Sequence, residues 1–69
     1  MRAPCGIEIE VGQLWEGMPD GERMKMTITG FDESSSVVSV DWEDGVNDVQ
    51  PLDQFYGGNR GGYRFIGKR

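Results

Sequence analysis

Apolar residues in this chain alternate with polar ones over short runs, and nowhere do they recur at helical spacing over eleven or more positions. That pattern restricts the chain to short β-strands with one buried face. Ile7, Ile9 and Val11 alternate with Glu8 and Glu10, which predicts a first strand over 7–11, bent at Gly12 and continued in apolar content by Leu14 and Trp15. Residues 17–22, GMPDGE, form a turn cluster. Met24, Met26 and Ile28 oppose Lys25, Thr27 and Thr29 in a second strand over 23–31, which a polar turn (DESSS) separates from the third. Val38, Val40 and Trp42 oppose Ser39 and Asp41 in that third strand, over 37–42. Glu43, Asp44 and Gly45 read as a tight hairpin turn in which Gly45 takes positive φ. A fourth strand over 46–50, with Val49 pointing inward, is stopped by Pro51, which cannot donate to a ladder. Residues 52–56 suit a single 3₁₀ turn, and a fifth strand follows over 63–67. Ile28, Val40 and Phe65 are expected in the core.

At 69 residues the chain is one small domain, with 1–6 read as a flexible N-terminal tail and 7–69 as the folded unit. A domain of this size buries only about 60% of the surface of its unfolded chain. Small domains therefore lean on disulfides, a metal or oligomerisation. Cys5 is the single cysteine and there is no histidine, so an internal disulfide is excluded and a metal is not expected. Homo-oligomerisation is the support that remains. Large aliphatic residues are few, so the seven aromatics must supply much of the buried area. A single cysteine, an opening stretch without an apolar signal region, and no long apolar run give the expectation of a cytoplasmic protein without membrane contact.

The charge is uneven. All twelve acids lie in residues 1–53 beside three basic residues, a local charge of −9, whereas residues 54–69 carry four basic residues and no acid. A body this acidic repels duplex DNA at long range.

Five short strands with a 3₁₀ turn before the last resemble a small SH3-like barrel. The stretch VVSVDWEDGVNDVQPLDQF is similar to a Tudor-type repeat. Residues 11–67 also resemble short SH3-like accessory proteins of phages and prophages. The matching pieces are Gly12-Gln13-Leu14-Trp15, the arginine-led second strand, Val38 to Trp42, and Pro51-Leu52 with Phe55. The resemblance implies an all-β, five-stranded SH3-like barrel, and for a phage-encoded chain a place in the host cytoplasm.

Three stretches could carry a site. Residues 54–65, QFYGGNRGGYRF, gather four glycines and two arginines. Successive glycine N–H groups can form an anion nest, here Gly57, Gly58, Gly61 and Gly62. Arg60 and Arg64 could close on a phosphate, and Tyr56 and Tyr63 could stack on a base. The alternative is a plain loop tip. Asp41, Glu43, Asp44 and Asp48 form an acidic partner-binding face. They do not make a calcium loop, because Gly45 comes one residue early and the twelfth position is Leu52. Trp42 is the one residue at a Tudor-like cage position, and its side chain is expected first of all in the core.

With no histidine and no nucleophile beside a base, no enzyme activity and no cofactor are expected. Three functional readings follow. The first is an acidic binding module, an inhibitor or regulator of a host protein in the manner of phage anti-defence proteins. The second is an oligomeric sponge for a small anionic nucleotide at the glycine- and arginine-rich loop. The third is a Tudor-like reader of a methylated cation.

Overall fold

The computed structural model describes residues 1–18, 21–57 and 61–68. Of the predicted site residues, Gly58 and Arg60 lie outside these. The elements are β1 (Gln13–Gly17), β2 (Met24–Asp32), β3 (Val37–Trp42), β4 (Asn47–Pro51), a 3₁₀ turn (Leu52–Gln54) and β5 (Arg64–Lys68). All pairings are antiparallel, and the strands form one sheet in the order β4-β3-β2-β1-β5. The fold is thus all-β, as the alternation predicts. The sheet is not closed into a barrel: β4 and β5 are its two edges. Side chains span the gap instead, where the Tyr63 hydroxyl donates to Gln50 Oε1 at 2.6 Å. No helix among the described residues is long and apolar enough to cross a membrane.

Strand β3 has the predicted bounds, with Val38, Val40 and Trp42 buried. The following turn also forms as read. Trp42 N–H donates to Val46 O and Gly45 N–H to Trp42 O, both at 2.9 Å, and Gly45 has φ +93. That is a three-residue hairpin loop with glycine in the left-handed position.

The N-terminal region differs from expectation. Alternation over 7–11 does not make the first strand, because Gly12, at φ +94, turns the chain and β1 begins at Gln13. Residues 1–9 instead fold back on themselves. Arg2 bridges Glu8, Ala3 N–H donates to Ile7 O, and Ile9 N–H donates to Met1 O. This hook sends Ala3 and Ile9 into the core and leaves Val11 exposed. Residues 1–6, expected as a tail, are therefore part of the packed domain.

Strand β4 is displaced by one residue and Val49 points outward, 56% exposed. Strand pairing accounts for this. Val40 faces Asp48 and Val38 faces Gln50, so Asp48 and Gln50 occupy the inner side and Val49 shares the outer side with Ser39. The inner side of β4 is polar because the polar ends of two core aromatics arrive there. Trp42 Nε1 donates to Asp48 Oδ2 at 3.3 Å, and Tyr63 reaches Gln50. An indole N–H or phenol left without a partner at that depth would cost about 1–3 kcal/mol.

The core is largely a chain of edge-to-face rings. Phe65 meets Trp15 at 5.4 Å between centroids, Trp15 meets Phe55 at 5.0 Å, Phe55 meets Tyr63 at 5.1 Å, and Tyr63 meets Trp42 at 5.9 Å. Such pairs add about 0.5–1.5 kcal/mol each beyond buried area. Phe65, expected to be buried, is only half-buried at the end of this chain, because β5 is an edge strand. The one buried polar residue among the described residues, Gln13, is satisfied on both sides: it donates to Glu8 O and accepts from Trp15 Nε1.

Candidate functional site

The loop from Gln54 to Tyr63 is closed at its base by main-chain bonds. Tyr63 N–H donates to Gln54 O at 2.7 Å, and Gly57 N–H donates to Tyr63 O at 2.9 Å. Gly57 and Gly61 take φ of +71 and +102, a region most side chains avoid. At Gly62 an added Cβ would overlap the Tyr56 ring, so a side chain there would displace that ring.

Of the residues predicted to meet a ligand, Tyr63 is buried in the core and Arg64 is ion-paired but exposed. Tyr63 is 8% exposed, packed between Phe55 and Trp42, so its face is not available for stacking on a base. Burial raises its phenol pKa, with the Asp48 charge adding to the effect. Arg64 Nη2 contacts Glu16 Oε1 at 2.9 Å. Tyr56 remains half-exposed beside Gly62. Arg23 Nε lies 3.5 Å from the same Glu16 oxygen. Glu16 and Arg23 were not among the predicted site residues. They stand 38 and 31 positions before the start of the loop, and no local signal in the sequence joins them to it.

The acidic hairpin is organised by its own hydrogen bonds. Asp48 Oδ1 accepts from Val49 N–H at 2.8 Å, while its Oδ2 takes Trp42 Nε1 and Gln50 Nε2. These bonds, the Val49 N–H first, hold the Asp48 carboxyl below the usual range. Asp44 accepts from Val46 N–H, Glu43 from Lys25 N–H, and Asp41 from the Asn47 amide. None of these four acids has a cation within ion-pair distance among the described residues. Trp42, the predicted cage residue, is 6% exposed. It borders a cleft with Leu14, Lys25, Thr27, Asp41, Glu43 and Gly45, and no second aromatic joins it there among the described residues.

The ion pairs among the described residues form outside this hairpin. The Met1 ammonium contacts Glu8 and Glu33, Arg2 lies near Glu8, Lys68 pairs with Glu10, and Arg23 and Arg64 share Glu16. Among the described residues this leaves a hairpin whose four acids have no ion-pair partner and a β1–β5 side whose charges are matched or in slight positive excess. No family model, curated protein or solved structure matches this chain.

Proposed function

We propose that this protein is a non-enzymatic, acidic binding module of SH3-like type, whose partner presents a basic face. The observation that carries the reading is the segregation of charge. The described cations sit mainly on the β1–β5 side and the N-terminal hook, while Asp41, Glu43, Asp44 and Asp48 stay unpaired around exposed Val46 and Val49. Apolar contact area ringed by one sign of charge suits a basic protein surface of the kind that also binds nucleic acid. The resemblance to phage accessory proteins makes a host protein the first partner class to test, and inhibition by occupying its basic face the first mechanism.

Backbone pairing along β4 is not the mode of contact. Pro51 lacks an N–H, and Asp48 already accepts from Val49 N–H, so the edge is blunted on its open side. Side chains must carry the recognition.

The test is photo-crosslinking from position 49 in the host cytoplasm, followed by rebinding of the captured protein at low and high ionic strength. The expected partner has a basic face, binds more weakly as salt rises, and is lost in Asp44→Lys. Binding that ignores salt, or that survives Asp44→Lys and Glu43→Lys in folded protein, sinks the reading.

A further inference from the structure

We propose a second, independent site: a phosphoryl-group cleft between β1, the start of β2 and the glycine loop, held by Arg23 and Arg64. Among the described residues this is the one ion-pair cluster in which cations outnumber acids. The N-terminal cluster sets the ammonium and Arg2 against Glu8 and Glu33, and Lys68 has Glu10, but Arg23 and Arg64 share the single carboxylate of Glu16. Both reach the same oxygen, Oε1, at 3.5 and 2.9 Å, so the two guanidinium groups are held side by side. Glu16 is largely covered, at 13% side-chain exposure, whereas Arg23 and Arg64 stay 66% and 61% exposed. Each guanidinium has five N–H donors, and one carboxylate oxygen leaves most of them directed elsewhere. The carboxylate thus acts as a positioning group for a pair of forks that together suit a phosphoryl group.

The surroundings agree with that ligand. The cleft is lined by Glu16, Gly17, Met18, Arg23, Gly61, Gly62 and Arg64. Gly61 has open space where a side chain would stand, so main chain can approach a bound oxyanion. Among the described residues neither Gly61 nor Gly62 N–H has a backbone partner. The volume, about 210 Å³, decides how much of a ligand enters. Whole drug-sized ligands occupy roughly 300–1,000 Å³. The cleft therefore takes a phosphoryl group, with any remaining molecule outside it. The negative body opposes anions only over about 8 Å at physiological ionic strength, and contact donors act inside that range.

The experiment is a titration of ¹⁵N-labelled protein with inorganic phosphate and, separately, adenosine monophosphate. Saturable shifts centred on Gly17, Gly61 and Gly62 are expected. Tighter binding of the nucleotide identifies a phosphorylated small molecule as the ligand, and equal binding identifies the phosphoryl group alone. Arg23→Ala and Arg64→Ala should each weaken binding about tenfold, the loss of one charge-assisted contact. The lysine variants, which keep the charge and the fold but lose the fork, should fall between. Glu16→Gln should tighten binding while lowering the melting temperature, a combination that a purely structural ion pair does not produce. The proposal is overturned if neither anion gives saturable shifts, or if folded Arg23→Lys and Arg64→Lys proteins bind as the parent does.

Discussion

The β3–β4 hairpin and the β1–β5 side solve the same problem of charge in opposite ways. In the hairpin, acids are held by nearby donors: Asp44 by Val46 N–H, Asp48 by Val49 N–H, Gln50 and Trp42. These partners lie within six positions in the chain, Glu43 reaches the Lys25 N–H 18 positions away, and every donor is a neutral group. On the β1–β5 side, Glu16 meets Arg64 across 48 positions and Glu10 meets Lys68 across 58. Local hydrogen bonding preserves net charge at the surface, whereas long-range ion pairing removes it. Among the described residues the hairpin therefore keeps a group of four acids without ion-pair partners, as do Glu22, Asp32 and Asp53 elsewhere, while Arg23 and Arg64 give a small positive excess beside Glu16.

The largest expected effect comes from the ring chain that joins the two sides. Phe55 is fully buried between Trp15 and Tyr63. Phe55→Ala should cost about 3–5 kcal/mol and unfold both regions together, seen as loss of a cooperative urea transition. If the hairpin amides stay protected from exchange in that variant, the two regions are independent and the comparison fails.

Next is Gly17→Ala. The added methyl would overlap the Tyr63 ring, which is fixed at its other end by Gln50. A loss of about 1–3 kcal/mol is expected from overpacking, measured by denaturation. Asp48→Ala should cost about 1 kcal/mol by leaving the Trp42 indole N–H without its partner, with a change in tryptophan fluorescence. An unchanged spectrum would show that Trp42 is not anchored from β4.

pH separates the regions more gently. The carboxyls of Asp48, Asp32 and Glu8 have folded pKa values below their ordinary ones, Asp48 through its bonds to Val49 and Trp42, Asp32 through Ser34, and Glu8 through the Met1 ammonium. Their stabilisation is present above the unfolded range near 4 and is lost as pH falls through the lower folded values. The Met1 ammonium is shifted the other way, above 8.0, by Glu8 and Glu33. Its contribution is present below pH 8 and is lost as pH rises through the folded value. A melting-temperature profile should therefore decline below about pH 4 and again above about pH 8. Acetylating the Met1 amine should abolish the first part of the alkaline decline, leaving the Tyr63 contribution above pH 10. The smallest effect is expected at Val49→Thr, within about 0.5 kcal/mol, because the side chain is exposed. A larger loss would mean that Val49 packs against something.

Much of the fold is legible in the sequence. Alternation marks β2 and β3, the acidic-glycine turn marks the hairpin, and the scarcity of aliphatics marks an aromatic core. These depend on strand period, on the left-handed freedom of glycine and on composition, which act within a few residues or on the whole chain at once. The misreadings concern placement. Alternation at 7–11 is as regular as in a true strand, yet its partner is the chain's own N-terminus. Val49 looks like a core residue until the β3–β4 pairing directs it outward.

The site divides in the same way. The acids of residues 41–48 and the glycines of the loop stand together in the chain, so their clustering was a property of the sequence itself. That Tyr63 is a core residue, that Arg64 is held by Glu16, and that Arg23 joins them was decided only when β1 paired with both β5 and β2. Pairing between strands distant in the chain depends on which arrangement buries the rings and satisfies their polar ends. No short window of residues contains that information.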